Sequence, residues 1–413
     1  MGYVGLTLSI AANQVGFKVN GYDINEDRVS MLNRGESYVT DVGSKELKSA
    51  IKNKKSFSAY SSFENLADCD IFIICVQTNL NIHNAPDLRP IKASAESISL
   101  ALRGNQLIIL ESTVHPGALE DVILPYLEKH GQKLGRDFLL STSPERIDPG
   151  NKDFPMTKIP KLVGSVNEDS QRASVAFYKT FIEEIVPVKN DKIAQLSKLL
   201  ENTYRAVNIA LVNELMMTSE KLGVDIWEVI EAAKTKPFGL DVFTPGPGTG
   251  GSCIPIDPFY LVWKMEEINE HSEFIEVAGK INERVPRYVV ERITAVLNER
   301  GFTVKDTGIL VLGVTYKPDV ADLSRTPAFP IMEQLIDEQA KVSYYDPFFN
   351  EINVNGSNLK SKKLTARLVR SMDMILILSN HSSIDYKLVE ENAKLIFDSR
   401  NQYKESNERI YRL

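Results

Sequence analysis

Cysteine is scarce: Cys69, Cys75 and Cys253 are the only three in 413 residues. So sparse and odd a number excludes a disulfide framework and points to a reducing compartment. No apolar stretch approaches the ~20 residues that a membrane helix needs. The N-terminus lacks the basic start of a signal peptide. Positive charge is not in excess either. Against 55 Asp and Glu there are 48 Lys and Arg, a formal net charge of −7, which provides no electrostatic footprint for nucleic acid. Basic runs at residues 45–55 and 360–370 read as solvated helix faces. The expectation is a cytoplasmic protein that binds neither nucleic acid nor membrane, with no metal site. Hydrophobic content of 43% and charged content of 25% are those of a soluble globular chain, long enough for two or three domains.

Half of a glycine fingerprint is missing as well. The chain opens Met1-Gly-Tyr-Val-Gly-Leu and runs into a helical pattern over residues 7–15. Asp23 ends the next strand, 21 residues after Gly2. That spacing suits an acidic residue on the adenosine ribose of NAD, with glycines letting a pyrophosphate reach a helix N-terminus. Yet the first glycine of G-x-G-x-x-G and the strand before it are absent. That strand lies centrally in a Rossmann sheet, so its loss leaves neighbouring strands unpaired. Met1 is therefore expected to be an internal methionine, with the true start upstream.

What is present alternates in α/β fashion. Apolar runs at residues 18–23, 71–76, 107–110 and 138–140 read as buried parallel strands, with amphipathic helices between them. Cys75 falls inside one of these strands and reads as core. Over residues 191–222 the pattern becomes one long helix, with Ile193, Leu196, Leu199, Leu200, Val207, Leu211 and Leu215 at helical spacing. Asp191 is its expected N-cap and Gly223 its stop. Further helices are expected at 227–234, 259–267 and 274–299. A second α/β unit follows, with strands at 309–314, 341–346, 374–378 and 395–398. The fold class is therefore α/β: two Rossmann-like doubly wound domains joined by a long central helix. The expected divisions are 1–188, 189–300 and 301–413.

One loop stands apart. Pro245-Gly-Pro-Gly-Thr-Gly-Gly-Ser-Cys-Ile-Pro-Ile-Asp257 crowds four glycines and three prolines around the Cys253 thiol, with a carboxylate four residues later. Gly permits close backbone approach and Pro fixes φ, so the segment suits a definite, non-repetitive shape. A thiol there can be a covalent nucleophile once deprotonated, or a structural cysteine beside a turn. The loop alone leaves both open.

Taken together, several segments resemble the UDP-glucose/GDP-mannose dehydrogenase family over essentially the whole chain. They are Met1-Gly-Tyr-Val-Gly, Glu111-Ser-Thr-Val-His-Pro-Gly117, Ser143-Pro-Glu-Arg-Ile-Asp-Pro-Gly150, Leu196-Ser-Lys-Leu-Leu-Glu-Asn202, the Cys253 loop, Gly313-Val-Thr-Tyr-Lys-Pro318 and Phe397-Asp-Ser-Arg400. The resemblance implies oxidation of the C6 alcohol of a nucleotide sugar to a carboxylate with NAD, and a homodimer formed through the long helix. It implies that Cys253 is the nucleophile and that Lys198 and Asn202, one helical turn apart, stabilise charge developing at C6. Asp257 would position water or accept a proton, Glu145 would be the base for thioester hydrolysis, and Thr113 would lie near the reacting carbon. For the cofactor it points to Gly2, Tyr3, Val4, Gly5, Asp23, Arg28, Thr78, Ser112, Thr113 and Arg325. For the UDP-sugar it points to Glu145, Arg146, Lys198, Asn202, Arg205, Pro245, Gly246, Gly248, Gly250, Lys317 and Arg400.

The chain departs from the family pattern in places. Gln77 and Asn79 stand where prolines are common, and Ser252 precedes the nucleophile. Ser324 occupies the position of a cofactor arginine, with Arg325 one residue late. Arg205 lies seven residues after Lys198 and so faces the same way, where it could meet an N-acetyl group or serve as a plain surface arginine. The Ser-Pro-Glu-Arg-Ile-Asp-Pro-Gly segment resembles the branch acting on UDP-N-acetylhexosamines. The expected substrate is UDP-N-acetylglucosamine, destined for capsule or O-antigen polysaccharide. The alternatives are UDP-glucose and a catalytically impaired nucleotide-sugar-binding paralogue.

Overall fold

The computed structural model describes residues 1–52, 56–151 and 153–413. The end of the first basic run, residues 53–55, lies outside them. Two units are defined: Met1–Glu201 with Phe259–His271, and Asn202–Pro258 with Ser272–Leu413.

In the first unit the strands are β1 (Val19–Tyr22), β2 (Phe57–Tyr60), β3 (Ile71–Ile74), β4 (Gln106–Leu110), β5 (Phe138–Thr142), β6 (Lys161–Ser165) and β7 (Ile185–Pro187). They form two sheets rather than one. β1 and β2 pair in parallel, and β3-β4-β5-β6-β7 form a five-stranded sheet in which only the β5–β6 pair is antiparallel. Among the described residues no ladder joins β1 to β3. The helix Tyr3–Gln14 closes this interval. Its Leu6 and Ile10 pack with the β1–β2 sheet, while Leu8 and Ala11 pack with residues of β4 and β6. The Met1 side chain lies against Gly21 of β1, where even a Cβ would sit 2.9 Å from its Cε and Sδ.

β4 and β6 are buried at every position, the burial pattern of strands covered on both faces. The strand at 71–76 is shorter than expected, so Cys75 lies just beyond its end, packed at the edge of the core. Periodicity did not reveal β2, β6 or β7, which are short or headed by a charged residue.

In the second unit, β8 (Gly308–Leu312), β9 (Lys341–Tyr345), β12 (Met374–Ile377), β13 (Ile396–Asp398) and β14 (Ile410–Arg412) form a parallel sheet in the order β14-β13-β12-β8-β9. β10 (Glu351–Val354) and β11 (Ser357–Lys360) make a separate antiparallel hairpin. The order reverses beside β8, which is where a doubly wound sheet opens a binding crevice at its carboxyl end.

The long helix runs Asp191–Lys221, 31 residues or about 46 Å. Asp191 does not cap it. The Asn190 side chain does, accepting from the Ile193 N–H at 3.0 Å, because the cap must precede the first helical residue. Gly223, at φ +70°, ends it as expected. The Val224 N–H bonds back to the Ser219 carbonyl and the Gly223 N–H to that of Glu220, a Schellman closure. The helix buries a mixed polar and apolar side and leaves several large apolar side chains exposed. Ala194, Gln195, Lys198, Leu199, Asn202, Ala206, Ala210 and Asn213 are buried, whereas Ile193, Leu196, Leu200, Tyr204, Leu211 and Leu215 are 41–64% exposed. No helix among the described residues is long and apolar enough to cross a membrane.

Candidate active site

At the head of the first unit, Gly2 is the N-cap of the helix Tyr3–Gln14, makes no side-chain cap bond, and has open space where a Cβ would be. The uncapped first turn carries the helix's partial positive charge, which suits a pyrophosphate. Tyr3 and Val4 open this turn, and Gly5 is buried with a would-be Cβ 3.6 Å from that of Cys75. Asp23 follows β1 and is buried. Its Oδ1 accepts from the Asn25 N–H at 2.9 Å, its Oδ2 accepts from the Met1 amine at 2.7 Å, and Arg28 lies 3.6 Å away. Burial opposes ionisation of Asp23, but the amine and these donors hold its pKa below the ordinary value. The open space at Gly2 and the uncapped first turn therefore fit the pyrophosphate of a dinucleotide. Thr78 is half-buried in the loop beyond β3. Beyond β4, the Ser112 hydroxyl donates to the Val76 carbonyl at 2.7 Å and Thr113 is half-buried.

Also in the first unit, Glu145 follows β5. Its Oε1 accepts from the backbone N–H groups of Arg146 and Ile147 at 2.7 and 2.8 Å, and its Oε2 is 3.0 Å from the Lys161 ammonium. Two backbone donors thus fix one carboxylate oxygen and a buried cation holds the other. The Arg146 guanidinium turns to Glu201, at 2.6 Å, and to the Pro160 carbonyl. Lys198, on the inward face of the long helix, is 6% exposed.

In the second unit, Cys253 is exposed, in no disulfide, with the Ser252 hydroxyl 3.7 Å from its sulfur. Its carbonyl accepts from the Ile256 and Asp257 N–H groups at 3.0 and 2.8 Å, so the chain turns straight into the helix Asp257–Glu267. The buried Asp257 carboxylate accepts from the Asn202 amide at 2.5 Å. The loop's glycines are sterically required at two points. A Cβ on Gly250 would lie 2.5 Å from that of Tyr316 and 2.9 Å from the Arg325 carbonyl, and Gly251 adopts φ +87° while its N–H bonds to the Ser324 carbonyl at 2.8 Å. Gly248, at φ +133°, lies against Pro286 and Pro327, and Pro245 is buried. Gly246 donates to the buried Asn213 amide oxygen at 3.2 Å and faces the Arg400 guanidinium.

Arg400 bonds the Leu378 carbonyl through Nε at 2.8 Å and that of Tyr316 through Nη2 at 3.3 Å, and burial pushes its pKa down to about 10. Lys317 is half-buried on the turn after β8, its carbonyl accepting from the Thr315 hydroxyl. Arg325 is exposed at φ +45° with its backbone against Gly250, and Arg205 is exposed on the long helix. A cavity of about 630 Å³ in this unit, lined by Glu220, Asp225, Tyr288, Arg292, Arg412 and Leu413 among others, includes none of the expected site residues. Among its lining groups, Glu220 pairs with Tyr288 and Arg292, and Asp225 with Arg412.

Motif reading missed Lys161 and Asn213 as parts of these arrangements. For Lys161 a signal existed: a lysine heading the apolar strand Lys161–Ser165 is a buried charge that needs a partner.

A half-fingerprint helix, a second Rossmann-like sheet and a thiol loop define the class as an NAD-dependent oxidoreductase. The chain belongs to the UDP-glucose/GDP-mannose dehydrogenase family, matching its NAD binding domain over residues 1–182, its central domain over 192–284 and its UDP binding domain over 310–405. Its substrate is thus a UDP-sugar and its cofactor NAD. It is 34% identical to the UDP-N-acetyl-D-glucosamine 6-dehydrogenase of Pseudomonas aeruginosa, over 84% of this chain and 81% of that one. It is 33% identical to the UDP-N-acetyl-D-mannosamine dehydrogenase of Methanocaldococcus jannaschii, over 97% and 91%. A solved UDP-D-ManNAc dehydrogenase from Pyrococcus horikoshii superposes with a TM-score of 0.89 at 29% identity, covering 100% of this chain and 96% of that one.

Proposed function

We propose that the chain oxidises the C6 alcohol of UDP-N-acetylglucosamine to the uronate through a covalent intermediate on Cys253. The observation that carries this reading is the exposed thiol in a loop whose Gly250 and Gly251 are sterically required, four residues before an Asp257 carboxylate bonded to Asn202. Bound NAD would supply the hydride acceptor for each of the two oxidations. The Cys253 thiolate adds to the C6 aldehyde, giving a thiohemiacetal, and loss of hydride leaves a thioester. Water then forms the new C–O bond, its proton passing to Glu145, and the C–S bond breaks to return the thiolate. Lys198 and Asn202 stabilise the oxygen charge that develops at C6. Lys317 and Arg400 offer cationic groups for the diphosphate. The product, an activated uronic acid, suits transfer into a surface polysaccharide such as capsule.

A second reading, the C2 epimer UDP-N-acetylmannosamine, is favoured by the names of the Methanocaldococcus and Pyrococcus relatives. A panel of UDP-sugars with NADH and uronate readouts decides between them. UDP-N-acetylglucosamine is expected to turn over fastest, with about two NADH per uronate. Fastest turnover of the manno epimer establishes the second reading, and of UDP-glucose overturns both. Binding without any NADH identifies an impaired paralogue.

The homodimer belongs to the same proposal. The exposed Ile193, Leu196, Leu200, Tyr204, Leu211 and Leu215 on one helix suit an interaction surface, and a copy of the same helix can cover it isologously. Leu211→Glu with Leu215→Glu is expected to convert a dimer to monomers in light scattering after size exclusion. An unchanged dimer, or a monomeric parent protein, overturns this.

A further inference from the structure

Glu145 does not stand alone in the first unit. Four elements bring a closed polar cluster to the carboxyl ends of β4 and β5. Glu111 follows β4, Glu145 follows β5, Lys161 opens β6, and Tyr178 ends the helix Glu168–Tyr178. The Lys161 ammonium is 2.8 Å from Glu111 Oε2 and 3.0 Å from Glu145 Oε2, and its side chain is 5% exposed against 0% and 11% for the two carboxylates. The Tyr178 hydroxyl donates to the other oxygen of Glu111, and the ammonium lies 5.1 Å from the Tyr178 ring centre. One buried cation is therefore divided between two carboxyl groups. Ordinary packing needs no such group, because a buried ion pair is no more stabilising than apolar residues of the same volume.

We propose that Lys161 is a positioning residue for Glu145, and that Glu111 sets the share of the ammonium that Glu145 receives. When Glu111 is protonated, the whole ammonium serves Glu145, which stays ionised and aimed. When Glu111 is ionised the cation is divided, and Glu145 becomes the stronger base. The inference rests on Glu145 being the base of thioester hydrolysis.

The environment separates the two carboxyls, the pattern that marks divided roles. Burial pushes Glu111 up to about 7, with the Glu145 charge adding to it, against the opposing pull of Lys161. Burial acts on Glu145 too, but Lys161, the Arg146 N–H and the Lys198 charge hold it below its ordinary value. Lys161 itself is raised: its two carboxylates outweigh burial. The other titratable groups facing the pair are Tyr178 and Cys75, both pushed up by burial and so neutral.

The test is the pH profile of kcat for uronate release, with intact-mass detection of the adduct on Cys253. Lys161→Met is expected to move the acidic limb to higher pH, because Glu145 loses the charge that keeps it ionised. It should lower kcat at pH 7 by roughly 100-fold with accumulated thioester. Lys161→Arg should restore part of the rate. Glu111→Gln, nearly isosteric, is expected to move the limb the opposite way, since the undivided ammonium lowers the Glu145 pKa. Opposite displacements establish the proposal. Equal losses at every pH with unmoved limbs reduce the cluster to packing and overturn it. Should Lys161→Met fail to fold, the Glu111→Gln limb decides alone. Glu145→Gln separates this from the underlying assignment. If that variant releases uronate at the normal rate, Glu145 is not the base and both ideas fall. If it stalls as the thioester while the other profiles stay put, only the positioning role falls.

Discussion

Replacing Cys253 by alanine is expected to abolish uronate formation, by roughly 10³-fold or more, while UDP-sugar affinity stays within a few fold. The loop around the thiol is held by backbone. Gly251 donates to the Ser324 carbonyl, Gly246 donates to Asn213, and the Cys253 carbonyl receives Ile256 and Asp257. Alanine preserves all of these. The sulfur is also exposed, so its removal leaves no buried cavity of the kind that destabilises cores. What disappears is the group that makes an aldehyde oxidisable by hydride loss. The first oxidation needs no thiolate, so a brief release of at most one NADH per enzyme site, without acid, is the expected signature. It is read by stopped-flow absorbance together with product chromatography. Undiminished uronate output from Cys253→Ala would sink the covalent scheme.

Much of this molecule was legible in the sequence because its signals are local. Buried parallel strands show as unbroken apolar runs, so β4, β8 and β12 were located to within two residues. The Cys253 loop was legible because glycine and proline announce special backbone, and the structure supplies the reason in the Tyr316 and Arg325 contacts at Gly250. Tertiary matters were harder. Periodicity located the long helix but not its inward side. Most of the periodic leucines face outward, and the buried side carries Gln195, Lys198, Asn202 and Asn213. A helix whose polar groups point inward defeats the assumption that apolar means core. The Lys161 cluster was invisible for a related reason: its members are separated by 50 residues or by 16 in sequence, and only the β4-β5-β6 order brings them together.

Lys198→Met carries the second large expectation, a fall in kcat on the order of 10²- to 10³-fold, the usual result of removing a preorganised oxyanion partner. Lys198 is one turn before Asn202 on the inward side of the helix Asp191–Lys221, and only 6% exposed. A buried ammonium needs negative charge close by, and the proposed oxyanion at C6 would add to the Glu145 carboxylate in supplying it. Methionine matches its length without the charge, so folding should survive while the reaction does not. The same substitution should also alter the pH dependence. The Lys198 charge is one of the influences holding Glu145 below its ordinary pKa. Without it Glu145 protonates at higher pH, and the acidic limb of residual activity should move upward, in the same direction as for Lys161→Met. Two lysines on different elements would then be acting on one carboxylate, Lys198 on both the oxyanion and the base, Lys161 on the base alone. Lys161→Met should accordingly slow acid release while leaving the first NADH release near normal, and Lys198→Met should slow both. Rapid-mix measurement of the first NADH release distinguishes them, and a normal first release from Lys198→Met would remove Lys198 from the oxidative step.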